Sequence, residues 1–286
     1  MRSLLISALG IGLTYQSVAA AAAPGERRLQ PSSKWVLNYA DDSCRLSRSF
    51  GKDDEQVIIF MDQFTPGETF RLMLLGKSIK PPPTTLPIPI KGKLQFGPNE
   101  QPFEVTGLTA TTADLPTYIV TDTIRIAPFS EAEKRAQQEV FKTNRPMRSA
   151  PIGAQRELAA TSLTVSELLR FDLILETGPM SAPMEALRKC STDTIRSWGL
   201  DVEQQKQLTR WAWPKQDPSS WFSANEYPKD MLRGGNQAIV NFRVIVDESG
   251  MPTSCNIQES TRPKAFDDLV CRSIILPESK RGSCSH

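Results

Sequence analysis

The chain has 286 residues, a net charge of +2 and a sequence pI of about 8.2, with 39% hydrophobic and 23% charged residues. Those values exclude wholesale disorder, and charge spread this evenly excludes the basic stripe of a nucleic-acid binder. With 22 Pro against 16 Gly, the composition suits strand ends and loops better than long helices.

The chain opens with Arg2, an apolar run from Leu4 to Leu13 and the small residues Ala19–Ala23. That order is the signature of a secretory signal peptide, so residues 1–23 are expected to be removed and the mature chain exported. The alternative is an uncleaved anchor, the one way the chain would contact a membrane. The apolar run falls short of the ~20 residues a spanning helix needs. No Cys stands directly after it, so a lipid anchor is not expected.

Residues 24–34 read as a flexible mature N-terminus, and Trp35 to about Ile126 as mostly strand. Val57–Met61 and Phe70–Leu75 are short apolar runs around the turn signal Thr65-Pro66-Gly67-Glu68, so they are expected to form a hairpin. Ile90–Phe96, Phe103–Leu108 and Tyr118–Ile126 are further strand candidates. Their number and spacing point to a small antiparallel sandwich or barrel, with the Pro-rich stretch Lys80–Pro89 as an extended loop.

Ser130 and Glu133 have capping-box spacing ahead of good helix formers, which predicts a helix over Glu131–Phe141. Residues 142–160 read as a mobile connection and Leu168–Glu176 as a strand. Met184–Trp198 is expected to be helical, with Met184, Leu187, Ile195 and Trp198 on one face and Gly199 as the stop. Asp201 and Gln204 have the spacing to cap a short helix from Val202 to Trp211.

From residue 219 the pattern changes. Over Asn236–Val246, Ala238, Val240, Phe242, Val244 and Val246 share one strand face, and Asn241 and Arg243 the other. Asp247–Gly250 reads as a turn and Thr253–Glu259 as a second strand. Pro263 then opens a helix in which Phe266, Leu269, Val270, Ser273 and Ile274 follow helical spacing. The chain is therefore expected to be α+β. A β-rich N-terminal domain with peripheral helices spans 24–215, and a small strand–strand–helix module spans 221–286.

Five cysteines in an exported chain suggest two disulfides and one leftover thiol. Cys255 lies on the inward register of its strand, and Cys271 flanks the apolar face of the following helix, so these two are expected to pair. The alternative is two buried free thiols. By elimination Cys44 pairs with Cys190, leaving Cys284 over, although sequence alone does not fix this connectivity.

The only His is His286, and no C-x-x-C occurs, so no zinc site, redox site or cofactor is expected. No nucleophile elbow, S-x-x-K set or phosphate-cradling loop is present, and a Ser or Cys nucleophile would lack a His base. The carboxylate groups Asp41-Asp42, Asp53-Asp54-Glu55 and Asp267-Asp268 read as solvated or dipole-matched charges rather than acid–base pairs. An enzyme is not expected. The aromatic group Trp211, Trp213, Trp221, Phe222 and Tyr227 has two readings. It forms a stacking surface for glycan or peptide, or it buries the connector between the two parts.

Tyr227-Pro228, Gly235, Gln237, the strand Ile239–Val244, the turn Val246–Gly250, Ser260, Pro263 and Phe266 occur in the order and spacing of the TonB C-terminal domain. Residues 221–275 thus resemble the divergent form of that family carried by secreted alphaproteobacterial proteins. The resemblance implies a periplasmic protein of the cell envelope that binds another envelope protein, such as an outer-membrane receptor, by pairing backbone along a sheet edge. Gln237, Asn241, Arg243, Trp213, Trp221 and Tyr227 are the partner-binding candidates, and a structural protein that binds peptidoglycan is the alternative.

Three departures set limits on what the resemblance implies. The anchoring helix with an intramembrane His, by which TonB couples to its motor, has no counterpart, so no energy transduction is expected. The long Pro-rich spacer is missing. The family's closing strand is replaced by residues 276–286, which have no strand character and read as a truncated or frame-shifted end.

Overall fold

The structure, a computed structural model, describes residues 25–80, 89–143, 150–208, 212–214, 217–261, 264–275 and 284–285. The first half of the chain supplies β1 (Glu26–Leu29), β2 (Val36–Tyr39), β3 (Cys44–Phe50), β4 (Val57–Gln63), β5 (Arg71–Leu75), β6 (Ile90–Phe96), β7 (Phe103–Thr112) and β8 (Leu115–Val120). Then come α1 (Glu131–Thr143), α2 (Ala154–Ala159), β9 (Leu163–Ser166), β10 (Asp172–Leu175), α3 (Ser181–Ser197) and α4 (Val202–Gln207). The C-terminal part holds β11 (Trp213–Pro214), α5 (Lys229–Arg233), β12 (Val240–Val246), β13 (Pro252–Ser260), α6 (Lys264–Ile275) and β14 (Cys284–Ser285). The fold is α+β and rich in strand, as the sequence pattern indicates.

Ten strands form one sheet in the order β1-β10-β9-β6-β7-β8-β5-β4-β3-β2. Every neighbouring pair is antiparallel except β1 with β10. The two ends of the sheet meet. After leaving β10, the chain crosses to β3, where Gly51 N–H donates to Gln30 O (2.9 Å) and Ser32 N–H to Ser49 O (2.8 Å). Residues 26–39 therefore pair with β10 first and β3 afterwards, which closes the sheet into a barrel and uses up edges that would otherwise stay open.

Strand alternation fills the interior. Leu46, Val57, Ile59, Met61, Leu72, Leu74, Leu94, Val105, Val120, Val165 and Leu173 all point into one buried cluster. On the outer face of β4 and β5, Ile58, Phe60, Met73 and Leu75 form a second cluster with Ile119 and Ala110. Tyr118 is fully buried in the first cluster, lies against Gly107 and donates its OH to Ile90 O at 2.9 Å. Burial pushes the phenol well above its usual pKa. A Cβ at residue 107 would overlap the Tyr118 ring. Gly107→Ala should therefore cost about 1–3 kcal/mol by overpacking. Urea midpoints check this, and an unchanged midpoint would mean the ring moves aside freely.

Helix α3 lies across the end of the barrel where β3 begins and β4 ends. Its Met184, Leu187 and Cys190 join the core, and Ser191 Oγ donates to Gln63 Oε1 at 2.6 Å. The disulfide Cys44–Cys190 ties it to β3, with Cα atoms 6.0 Å apart. Arg188 donates to Glu157 of α2 at 2.6 and 3.1 Å and to Glu68 at 3.1 Å. Hydrogen bonding to Glu157 raises the guanidinium pKa further, against the effect of burial.

Several sequence expectations need correcting. Residues 24–34 contain strand β1 rather than a flexible terminus; its outward residues are charged, and Arg28 pairs with Glu176. The connection at 142–160 contains helix α2, whose Glu157 is buried because Arg188 satisfies it. Within Leu168–Glu176 only Asp172–Leu175 is strand; Leu168 packs instead over Gly92, and β9 precedes it. The Asp201 cap forms, with Gln204 N–H donating at 2.7 Å, but α4 stops at Gln207. The Ser130–Glu133 capping box forms as its spacing indicates. The Pro-rich stretch at 81–88 lies outside the described residues.

Candidate functional site

In the C-terminal part, β12 and β13 form a two-stranded antiparallel hairpin. Its turn is built on Asp247, whose carboxylate accepts from Ser249 N–H (2.9 Å), Ser249 Oγ (2.6 Å) and Met251 N–H (3.0 Å). The alternation read from the sequence places Val240, Phe242 and Val244 on one face. With Cys255 and Ile257 they pack on Trp221 and on Val270 and Ile274 of α6. The disulfide Cys255–Cys271, Cα atoms 5.4 Å apart, fastens α6 to β13.

The opposite face of the hairpin rests on the barrel through polar contacts. Arg243 forms an ion pair with Asp42, and its guanidinium lies 4.1 Å from the centre of the Trp198 ring. Gln258 Nε2 donates to Asp42 O (2.7 Å) and Phe64 O (2.9 Å). Glu259 pairs with Arg45 at 2.8 Å and with Arg71. Both guanidinium groups also bond Asp62, Arg45 at 2.5 and 2.9 Å and Arg71 at 3.0 Å.

This is a four-residue network with two positive and two negative groups. Asp62 is only 2% exposed and Arg71 8%. Burial lowers the Arg71 pKa, and the adjacent Asp62 carboxylate opposes that shift. Nε and Nη1 of Arg71 have no partner, so Arg71 depends on Nη2 alone for its ion pairs. Glu259→Gln removes one charge from this seam, so it should loosen the hairpin on the barrel and raise amide exchange in β12 and β13. Unchanged exchange would mean that the remaining contacts, Arg243 with Asp42, Gln258 with Asp42 and Phe64, and Ile239 on the outer apolar cluster, hold the hairpin without Glu259.

Beside the seam a cleft of about 830 Å³ opens between the barrel and the hairpin's base. Its size is that of an ordinary ligand pocket. One wall is the end of β7 with Met73 and Ile119; the other is the approach to β12 and the end of β13.

The partner-binding candidates do not share one surface. Gln237 lines the cleft. Asn241 and Arg243 lie on the barrel-facing side of the hairpin, where Arg243 is already paired. Trp221, 4% exposed, belongs to the module's core. Tyr227 packs edge-on to Phe266 with ring centres 5.5 Å apart and donates its OH to Asn236 O. Trp213 begins β11, which pairs with β14 at Cys284–Ser285, so the tail thought to lack strand character forms a short strand. The side chains of Trp211, Trp213 and Cys284 lie outside the described residues.

Sequence reasoning missed the seam. The available signal was a charge inside apolar strands, Asp62 after Val57–Met61 and Arg71 within Phe70–Leu75, because buried charges are normally paired. Of the carboxylate groups weighed for acid–base work, Asp42 pairs with Arg243 and Asp54 with Lys77. Among the described residues, no helix is long and apolar enough to cross a membrane, and no cluster of acidic, His or Cys side chains could hold a metal ion. No family model, curated protein or solved structure matches the chain, so its function must be argued from these residues.

Proposed function

We propose that the chain is an exported, non-catalytic binding protein of the bacterial envelope. In this account its TonB-like module takes an extended segment of another envelope protein, an outer-membrane receptor by the resemblance, along the edge of β12. One observation carries this reading. Both faces of the β12–β13 hairpin are occupied, by α6 and by the barrel, while among the described residues β12 pairs only with β13.

Thr261 N–H donates to Ile239 O and Asp247 N–H to Met251 O, so the odd-numbered residues of β12 bond inward. The even-numbered residues then hold their N–H and C=O groups toward the open edge, the arrangement that strand addition uses. Two disulfides favour an oxidising compartment, which in this reading is the periplasm. In this reading the module binds its partner without transducing energy.

Val246 is the test position, because its N–H faces outward at the end of β12, where Pro is tolerated. Wild-type chain should retrieve a defined envelope protein from extract, and Val246→Pro should retrieve at least fivefold less. Equal recovery by both would end the strand-addition reading. Co-sedimentation with sacculi and no captured protein would favour peptidoglycan binding instead.

A further inference from the structure

The cleft between barrel and module begins where β12 begins. Gln237, Ala238 and Ile239, which lead into β12, line it together with Ser260 and Thr261 at the end of β13. Met73, Ile119 and Ala110, on the outer face of the barrel, supply its apolar wall. Ile239 joins the two sides. Its N–H donates to Thr261 Oγ1 at 2.9 Å and its O accepts from Thr261 N–H at 3.1 Å, while its side chain packs on the Met73–Ile119 cluster.

Ile239 therefore marks which way an added strand sends its side chains. Neighbouring residues on paired strands point to the same face, about 4.8 Å apart across the pair. Ile239 and Arg243 have the same parity, and both face the barrel. A segment paired along β12 keeps its backbone in the plane of the hairpin. Its residue beside Ile239 points out of that plane toward the barrel, into the cleft.

The lining sets what that residue can be. The charged groups in the cleft, Arg45 and Glu259, are paired with each other at 2.8 Å, so neither is free to hold an incoming charge. Among the described residues no aromatic ring lines it, which gives a sugar no stacking platform. Met73, Ile119, Ala110 and Ile239 offer aliphatic surface, and about 830 Å³ leaves ample room for a large side chain.

We propose that the cleft is the specificity pocket of the β12 edge, taking a large aliphatic side chain, such as Leu, from an uncharged partner segment. This inference rests on the strand-addition reading of β12 and adds what the partner must carry. The occupant touches barrel and module together, so binding also clamps the hairpin in place.

The test uses the mature chain and fluorescent decapeptides, with binding read by anisotropy. Three Thr-Val repeats carry a Leu pair at each end, so either strand direction brings a Leu beside Ile239. Replacing the Leu pairs by Ala should weaken binding at least tenfold, because the buried apolar surface is lost. Glu pairs should bind at least as weakly as Ala. Ala110→Glu, which sets a carboxylate in the apolar wall, should bring the Leu and Ala peptides within threefold of each other. The peptide series with wild type stands by itself if Ala110→Glu misfolds. Equal binding of Leu and Ala peptides, both weakened by Val246→Pro, would overturn the proposal and leave the role of β12 standing. Binding that Val246→Pro leaves unchanged, or no binding by any peptide, would remove the β12 reading and the proposal with it.

Discussion

Replacing both Cys44 and Cys190 by Ala should lower the unfolding free energy by about 4–5 kcal/mol, the largest effect expected of any change in the barrel. The two residues are 146 apart in sequence, and a cross-link over so long a loop removes much entropy from the unfolded chain. Both are fully buried, and the bond holds α3 over the barrel end. Cys255–Cys271 closes a separation of only 16, so its removal should cost about 3 kcal/mol on the same model. Urea unfolding followed by amide exchange in β3 and β13 separates the two losses, which matters because a chain of two parts need not unfold in one step. A loss below about 1 kcal/mol for the Cys44–Cys190 variant would mean that packing of Met184 and Leu187 holds α3 unaided.

Asp62→Ala should destabilise the chain by about 3–5 kcal/mol, since removing one partner from a buried ion network strands the others. Arg45 and Arg71 would then share only Glu259, which reaches them from the hairpin. The harm should appear both in barrel stability and in docking. Replacing both members of the inner pair, Asp62→Leu with Arg71→Met, should recover most of the loss, because well-packed apolar residues of similar volume often match a buried pair. If Asp62→Ala is nearly neutral, water reaches the network and the charges are screened. If the double variant is as poor as the single, the seam is needed for its geometry and not merely for charge balance.

How much of this was legible in the sequence depended on range. Local signals held: the Ser130–Glu133 box, the Asp201 cap, the hydrophobic face of α6 and the alternation of β12 all sit where the pattern puts them. What failed were features set by distant partners. Strand β1 is written in charged residues, and only pairing with β10 and the crossing to β3 make it a strand. Helix α2 depends on Arg188 from α3 to satisfy Glu157. The β7–β8 turn uses Ala113-Asp114 where a readable hairpin has Asn-Gly, so the strands were expected to stop at Leu108 and resume at Tyr118.

The candidate site follows the same division. Arg243 and Asn241 were placed correctly on the polar strand face, but nothing in their neighbourhood announced that the chain's own Asp42 and Trp198 would meet that face. The density of Trp and Tyr residues left two readings open, a recognition surface and rings that bury the connector. Trp221 and Tyr227 serve the module's packing instead. Density of rings in sequence says little about which way each ring points.

The central claim is that this chain works by offering the edge of β12 to a protein partner, and photo-crosslinking in intact cells tests it most directly. Crosslinking residues would be placed at Val246 and, as a control, at Leu158 on the exposed side of α2. The expected result is adducts from Val246 that map to an extended segment of an envelope protein, with none from Leu158. Adducts from Leu158 alone, or none from Val246, would contradict the account.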